Sequence, residues 1–486
     1  MVGIRSYGGY VPRYRLNRMV IFGSMGWINP ANILNAQGEK AVANFDEDAV
    51  TMAAAAAIDC VNGFERSEIG GVYFASTTAP YRERLCANLV AGALATGESI
   101  RTVDFAGGLK AGASGLMAAL DAVAAGSANN VVVSAADCRL GKMGSVQELM
   151  FADAAGAVMV GNDDVIAEYK GSFSMGHDFV DHVRGAETRF DRQWEERWIR
   201  DIGFGQFIPE AVNGLCAKHN VAPGDFAKII YPCYYGGARK AINKKLGLEP
   251  DRVQDNMQAV IGDAGTAQPM IMLARALEDA APGDKIMLVS YGNGCDALFF
   301  EVTDAIRKLA PRRGVSGCLA RRADLDNYQK YLVWRGMAPV ELGLRSEEQK
   351  WTRWSLMWRD HRAMLSLTGS RCKACGTPQF PPQKICVNPN CGAVDDSLPH
   401  VMSDKGGKIF SFTSDMLAAT INPPAMYGAV DFNGGGRYMF DFTDCGIDDL
   451  AVGGSVEFSF RVKHRDDEHD ITNYFWKAVP VAEGAE

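Results

Sequence analysis

Four cysteines in the C-terminal part of the chain have the spacing of a metal site. They form the run Cys372-x2-Cys375-x10-Cys386-x4-Cys391, in which the second pair is more widely spaced than the first. Zinc prefers four tetrahedral thiolates, and a CxxC turn presents two of them from one loop. The set contains no histidine and leaves no open coordination position, so the spacing predicts a structural rather than a catalytic zinc ion at Cys372, Cys375, Cys386 and Cys391.

The other eight of the twelve cysteines lie singly along the chain. They are Cys60, Cys86, Cys138, Cys216, Cys233, Cys295, Cys318 and Cys445. A scattered set of this kind suits a reducing compartment with one metal site better than a disulfide framework. We therefore expect a cytoplasmic location.

Charge and hydropathy exclude several classes of partner. The net charge is −8, and residues 369–486 carry 10 Lys and Arg against 16 Asp and Glu. A phosphate backbone would be repelled by such an acidic tail, so we expect no nucleic-acid partner. No uncharged apolar run reaches about 18 residues, and the N-terminus lacks the apolar core of a secretion signal. We expect no membrane association.

The first 305 residues alternate short β-rich runs with alanine-rich helical patterns, without an evident internal repeat. Predicted strands are Gly71–Ser76, Asn130–Ser134, Ala157–Gly161, Ile229–Tyr231 and Lys285–Ser290. Predicted helices, with apolar residues at a 3.6-residue period, are Glu47–Asn62, Ala111–Ala124 and Met270–Ala280. This alternation is typical of a layered α/β fold.

The pattern changes after Pro311–Gly314. A charged, tryptophan-rich stretch at Asn327–Leu367 predicts connecting helices. Segments of period two follow the cysteines, at Lys408–Thr413, Tyr427–Phe432, Arg437–Phe442, Ser455–Val462 and Asn473–Val479. Breaks rich in Gly, Asp, Asn and Pro separate them, which is typical of a small antiparallel β-barrel.

Several segments resemble the thiolase superfamily, and most closely the hydroxymethylglutaryl-CoA synthases of archaea and bacteria. These segments are Gly3–Arg15, Asp46–Ala53, Phe151–Ala157, Val165–Glu168 and Val289–Gly294. The tail is similar to the domain of unknown function 35 family, a zinc ribbon plus OB fold that accompanies thiolase-like acyl-CoA enzymes. The resemblance implies an αβαβα sandwich built from two related halves, followed by a rubredoxin-like zinc ribbon and an OB-fold β-barrel.

We expect four segments on this basis. They are a thiolase-like domain at 1–310, a helical connector at 311–367, a zinc ribbon at 368–400 and an OB-fold domain at 401–486. The resemblance also implies an acyl-CoA substrate, with coenzyme A as part of it, and a homodimer formed through the thiolase-like domain.

The resemblance further implies a catalytic Cys, His, Asn and Glu, and none of the four is present at its expected position. The motif alignment puts Leu109 at the nucleophile, Thr77 at the Glu, Pro232 at the His and Asp263 at the Asn. Chemistry through an acyl-enzyme needs a thiolate and a base that activates it. Cys233, beside the His position, is either a substitute nucleophile or a small buried thiol.

Aldol chemistry on a β-hydroxyacyl-CoA needs no acyl-enzyme, only a base for the β-hydroxyl proton and donors to the enolate oxygen. Tyr234 and Tyr235, in the loop of the replaced His, and Asp263, at the replaced Asn, are the predicted catalytic residues. The two tyrosines could instead pack, and Asp263 could instead cap a helix that starts at Thr266. Thiolase-like aldolases that work with a partner of the domain of unknown function 35 family also lack the nucleophilic Cys.

The predicted substrate contacts are more widely spread. Backbone N–H groups at Gly292 and Gly294 would face the enolate, as the glycine turn of the family implies. Lys240 lies in a basic helical pattern that could meet CoA phosphates. His182 lies in a charged insertion that the family places near its active-site mouth. A solvated position is the alternative for both Lys240 and His182.

Three functions fit these residues. The first is an aldolase or retro-aldolase, a carbon–carbon lyase acting on a β-hydroxyacyl-CoA. The second is a synthase or acyltransferase like hydroxymethylglutaryl-CoA synthase or thiolase, with its nucleophile elsewhere. The third is a non-catalytic acyl-CoA-binding scaffold subunit.

Overall fold

The structure is a computed structural model, and it describes residues 1–343 and 351–481. These residues divide into two compact units. The first contains Met1–Ala43, Asp48–Val90 and Gly97–Tyr328, and the second contains Asn44–Glu47, Ala91–Thr96 and the described residues from Gln329 onward. Residues 344–350 of the predicted connector and 482–486 of the predicted OB-fold domain lie outside the described residues. Within the described ranges, no helix has the length and apolar character needed to span a bilayer.

The first 328 residues alternate strands and helices, as the sequence predicts. The strands are β1 (Gly3–Tyr10), β2 (Tyr14–Asn17), β3 (Glu39–Val42), β4 (Gly71–Ala75), β5 (Arg101–Phe105), β6 (Val131–Cys138), β7 (Asp153–Gly161), β8 (Ala167–Gly176), β9 (His182–Val183), β10 (Arg192–Gln193), β11 (Lys228–Ile230), β12 (Lys285–Tyr291), β13 (Gly294–Val302) and β14 (Ala323–Asp324). The helices are α1 (Arg18–Met25), α2 (Ala49–Cys60), α3 (Cys86–Ala93), α4 (Ala111–Ala124), α5 (Val146–Met150), α6 (Glu196–Trp198), α7 (Ile208–His219), α8 (Gly236–Leu246), α9 (Gln268–Glu278) and α10 (Gly314–Ala320). A π-helical segment, Ile199–Phe207, joins α6 to α7.

The strand order of the main sheet reveals two similar halves. In the described part of the chain the order is β5-β4-β6-β7-β1-β8-β13-β12-β11. In the first half β4 and β6 are parallel, and β6–β7 and β7–β1 are antiparallel. The second half repeats this with β11 and β12 parallel and with β12–β13 and β13–β8 antiparallel. The halves join where β1 pairs with β8 over a short stretch that begins at Gly3 and Glu168.

Helices lie between and outside the two halves of the sheet. Helix α9 packs against β7 and β1 of the first half and against β11 and β12 of the second. Helix α4 packs against α9 and β6, and a Cβ on its Gly112 would lie 3.1 Å from the Cβ of Ala135, so small residues are needed there. Helix α2 covers β1, β6 and β7, and α7 covers β8 and β13. This five-layer order is the predicted αβαβα sandwich, confirmed in the structure.

The second unit combines short helices with two small sheets. Its helices are α11 (Tyr328–Trp334), α12 (Trp354–Arg359) and α13 (His361–Ser366). Its strands are β15 (Thr368–Cys372), β16 (Pro378–Gln379), β17 (Ser397–Val401), β18 (Gly407–Asp415), β19 (Ala425–Phe432), β20 (Arg437–Asp441), β21 (Ser455–Asp466) and β22 (Ile471–Pro480). Strands β16-β15-β17 form the sheet that carries the cysteines, and β20-β19-β18-β21-β22 form an antiparallel sheet. A parallel bridge from Phe442 to Ala478 links the two ends of the larger sheet.

Buried charges fix the segment Asn44–Glu47 within the second unit. The Asp46 carboxylate accepts hydrogen bonds from Lys477 Nζ at 2.9 Å and Thr443 Oγ1 at 2.8 Å, and Glu47 pairs with Arg461 at 2.5 Å. Burial alone would raise the pKa of Asp46, but Lys477 and Arg461 hold it below its usual value. Each buried charge therefore has an opposite charge beside it, as burial requires.

Candidate functional site

Three of the four replaced catalytic positions line one small space in the first unit. Leu109, in the turn before α4, Pro232, after β11, and Asp263, before α9, surround a space of about 30 Å³ together with Cys233 and Tyr234. The fourth position, Thr77, follows β4 and donates to the Asp137 carboxylate, which also accepts from the N–H of Thr266. The motif alignment therefore brings together residues that the fold also brings together.

A second small space, of about 20 Å³, adjoins the first. Leu109, Phe204, Tyr234 and Tyr291 line both spaces, and Arg139, Asp181, His182, Asp191 and Gln193 are among the residues that line the second one. Each space has room for little more than one water molecule. Neither space could hold a whole acyl group.

A buried ion cluster fixes Asp263. The Arg139 guanidinium lies 2.7 Å from Asp191 and 3.2 Å from Asp263, and its central carbon is 3.8 Å from the centre of the Phe151 ring. Burial alone would lower the pKa of Arg139, but the two carboxylates raise it above its usual value, so the guanidinium stays charged. Asp263 also accepts the N–H of Gly265 at 3.0 Å. Both oxygens of Asp263 are thus held, which suits a positioning residue better than a mobile base.

Tyr234 and Tyr235 are hydrogen-bond donors rather than bases at neutral pH. Burial raises the pKa of Tyr235 to about 12 and the pKa of Tyr234 well above its usual value. Gln193 Nε2 contacts the Tyr235 hydroxyl at 2.6 Å and the Tyr234 hydroxyl at 3.1 Å, and the two rings lie 4.4 Å apart. Tyr234 lines both spaces, whereas Tyr235 is not among the residues that line either one.

His182 is held with one nitrogen on a carboxylate. Its Nδ1 lies 2.7 Å from Asp181, which is 4% exposed. Burial alone would raise the pKa of Asp181, but His182 and Tyr291 hold it below its usual value, so Asp181 is ionised. An ionised carboxylate only accepts hydrogen bonds, so Nδ1 of His182 carries a proton, and in the neutral form of the ring Nε2 is then an acceptor. His182 lines the second space, and an Nε2 acceptor is what a general base requires.

The glycine turn serves close packing. A Cβ on Gly292 would lie 2.8 Å from the amide nitrogen of Leu109, and one on Gly294 would lie 2.1 Å from the carbonyl oxygen of Met175. The N–H of Gly292 donates to the carbonyl of Gly294 at 3.0 Å. That N–H is engaged within the turn rather than directed at a ligand.

The structure differs from the sequence-based predictions at Lys240 and at four residues that were not predicted. Lys240 lies on an exposed face of α8 and lines neither space. Arg139, Asp181, Asp191 and Gln193 line the site but were not predicted. Asp181 and Asp191 lie in the charged run from Asp178 to Arg192, which is also typical of a solvated loop, and Arg139 and Gln193 lie outside that run.

The four cysteines of the second unit fit a zinc ion. All four sulfur atoms lie within 4.8 Å of one another, and Cys372–Cys391 and Cys375–Cys386 are 3.8 and 3.5 Å apart. A tetrahedron with Zn–S bonds of about 2.3 Å has edges of about 3.8 Å. Among the described residues this is the metal-ligating group that the fold assembles. Cys372 ends β15, and the other three lie in the loops between β15, β16 and β17.

Both the cysteine-bearing segment and the first unit have similar known proteins. Residues 360–395 match the family model of the ChsH2 rubredoxin-like zinc ribbon domain. Hydroxymethylglutaryl-CoA synthase from Pyrobaculum arsenaticum is 29% identical over 345 residues, which cover 69% of this chain and 98% of the synthase.

Two solved structures have the same fold. A crystal structure of HMG-CoA synthase complexed with CoA is 19% identical, with a TM-score of 0.60, over 72% of this chain and 95% of that one. MvaS in complex with 3-hydroxy-3-methylglutaryl coenzyme A is 22% identical, with a TM-score of 0.58, over 69% of this chain and 91% of that one. The chain thus contains a domain that is similar in sequence and fold to hydroxymethylglutaryl-CoA synthase, and a C-terminal segment that matches a rubredoxin-like zinc ribbon.

Proposed function

We propose that this chain is a hydroxymethylglutaryl-CoA synthase-like acyl-CoA enzyme that makes or breaks the Cα–Cβ bond of a β-hydroxyacyl-CoA without a cysteine acyl-enzyme. The observation that carries the proposal is the pair of adjoining spaces around Leu109, in which the Asp181–His182 pair supplies a base and Tyr234 a neutral donor. The comparisons favour the synthase-like alternative over a dedicated aldolase. The two share aldol chemistry, because 3-hydroxy-3-methylglutaryl-CoA is itself a β-hydroxyacyl thioester.

An acyl-enzyme route lacks a nucleophile in this site. Leu109 has no reactive atom. Cys233 lines the first space, but burial raises the pKa of its thiol to about 12. At pH 7 roughly one molecule in 10⁵ would carry the thiolate there, and the thiolate is the reactive form. Substrate chemistry on the CoA thioester itself avoids this obstacle.

In the cleavage direction, His182 Nε2 takes the β-hydroxyl proton. The C–O bond becomes a carbonyl, the Cα–Cβ bond breaks, and its electron pair passes into the enolate of the departing thioester. The Tyr234 hydroxyl donates a hydrogen bond to the enolate oxygen. Protonation of the α-carbon then gives an acyl-CoA and a ketone or aldehyde. Condensation follows the same steps in reverse.

The test measures cleavage, condensation and exchange of the α-hydrogen. The protein is incubated with a panel of β-hydroxyacyl-CoAs to detect cleavage, with acyl-CoAs and carbonyl compounds to detect condensation, and with acyl-CoAs in D₂O to detect α-hydrogen exchange. The proposal predicts activity in at least one assay, with no acylated cysteine on intact-mass analysis. An acylated Cys233 would restore the acyl-enzyme synthase, and complete inactivity with intact acyl-CoA binding would favour the scaffold.

The other predicted features remain proposals. The order of the larger sheet in the second unit, with its parallel bridge between Phe442 and Ala478, supports an OB-fold barrel. The four-sulfur geometry supports structural zinc. A homodimer rests on the resemblance alone, and light scattering would test it.

A further inference from the structure

An apolar groove opens beside the second space. It is about 690 Å³ in volume, and Phe179, Val180, Val183, Trp194, Trp198 and Ile202 supply its apolar walls. The Trp194 and Trp198 rings stack with their centres 5.9 Å apart and their planes 8° apart. Each of the two indoles is about half exposed, at 54% and 47%. A concave apolar surface of this kind on a soluble protein commonly binds a ligand.

The groove and the second space share two lining residues. His182 and Gln193 line both the groove and the second space, whereas Val183 and Arg192 line the groove but neither small space. The register of β9 and β10 explains this arrangement, since His182 pairs with Gln193 and Val183 with Arg192. A ligand in the groove would therefore extend to the imidazole of His182.

The two small spaces and the groove differ in volume, and they therefore suit different parts of a substrate. The spaces of about 20 and 30 Å³ accept the reacting carbons and oxygens only. The groove, at about 690 Å³, lies in the range of pockets that hold ligands of drug size, roughly 300–1,000 Å³. Its walls are mostly apolar, with Asp178, His182, Arg192 and Gln193 as the polar lining residues, so it suits a hydrocarbon group.

We infer that this groove binds the body of a bulky apolar acyl group, so that the substrate is a β-hydroxyacyl-CoA whose acyl part is much larger and less polar than hydroxymethylglutaryl. The inference rests on the proposed function for the position of the reacting carbons. The parallel indoles offer flat faces to a long chain or a fused ring system.

The test compares acyl-CoAs that differ only in the apolar group on the β-carbon, from methyl through octyl to a fused bicyclic ring. Binding is measured by calorimetry and turnover by the assays above. Each added methylene should raise kcat/KM about threefold to fourfold until the groove is filled. Trp194→Ala and Trp198→Ala should each weaken binding of the bulky substrates at least tenfold and leave the methyl substrate nearly unchanged.

Trp27→Ala is the matched control, because Trp27 is 77% exposed and does not line the groove. It should change neither substrate class. If bulky acyl-CoAs bind tightly, need both tryptophans and are not turned over, the groove binds the acyl group but the proposed function is wrong. If small substrates are turned over and bulky ones show no higher kcat/KM, the groove does not bind the acyl group but the proposed function stands. Dissociation of an oligomer by the tryptophan variants, with acyl-CoA binding unchanged, would assign the groove to a second copy of the chain and overturn the inference.

Discussion

Substitution Asp46→Asn should strongly destabilise the second unit. Asp46 is 1% exposed and Lys477 is 6% exposed, and their side chains meet at 2.9 Å. Removing one partner of a buried ion pair leaves the other charge in a poorly solvated position, which costs about 3–5 kcal/mol. For a unit of about 150 residues, this corresponds to a fall of about 6–20 °C in the unfolding temperature. Calorimetry at neutral pH measures the loss directly.

A surface pair provides the control. Asp431 and Arg437 meet at 2.6 Å, a shorter distance than in the buried pair, but their side chains are 43% and 48% exposed. Because solvent screens such pairs, Asp431→Asn should leave the unfolding temperature little changed. The double variant Asp46→Asn/Lys477→Met should recover most of the lost stability, since it leaves no unpaired charge at that contact. A fall of less than about 1 kcal/mol in the free energy of unfolding for Asp46→Asn would refute the reasoning.

The same pair predicts a dependence on pH. The folded-state pKa of Asp46 lies below its value in the unfolded chain, which is about 3.9. The contribution of Asp46 is therefore complete above about pH 4 and is lost as the pH falls further. The difference in unfolding free energy between wild type and Asp46→Asn should shrink below pH 4. A constant difference down to pH 2 would contradict the assignment.

Four further predictions concern the site and the metal. His182→Gln should lower kcat at least about 100-fold. The control His177→Gln changes an exposed histidine outside the two spaces and should leave kcat unchanged. Equal effects of the two substitutions would show that His182 is not the base. Tyr234→Phe should lower kcat more than Tyr235→Phe, as steady-state kinetics would show, and the reverse order would assign the donor to Tyr235. Cys233→Ser should keep most of the activity, and a complete loss with a wild-type circular dichroism spectrum would favour a thiol nucleophile. Elemental analysis of the purified protein should find about one zinc per chain. Cys372→Ser should abolish zinc binding and increase hydrogen exchange in β15–β17. Unchanged exchange would argue against a structural metal.

The sequence predicted regular elements well where a pattern repeats locally. Helix α4 begins and ends at the predicted residues Ala111 and Ala124, because an alanine-rich 3.6-residue period needs no tertiary information. The predicted Ala157–Gly161 strand was too short, since β7 starts at Asp153 with small residues that the sheet, rather than propensity, keeps extended. The two halves of the main sheet share a strand pattern that no repeat in the sequence reveals.

The site was less accessible to sequence reasoning. The replaced positions Leu109, Pro232 and Asp263 were placed through motifs, and the fold brings them together. Asp181 and Asp191 come from a charged run whose local pattern is that of a solvated loop. Only the tertiary structure reveals that these two carboxylates are buried beside His182 and Arg139. Lys240 illustrates the opposite case, because its helix presents it to solvent.

The composition of the second unit limits how this chain can be divided. Asp46 and Glu47 lie early in the sequence, yet their partners Lys477 and Arg461 lie near its end. A fragment that starts at Gln329 would retain both cations and lose both carboxylates. Arg461 would keep its contact with Asp444, but Lys477 would lose the carboxylate beside it. A C-terminal piece cut before Gln329 should therefore be less stable than the same unit in the intact chain, unless the other piece supplied the acidic segment.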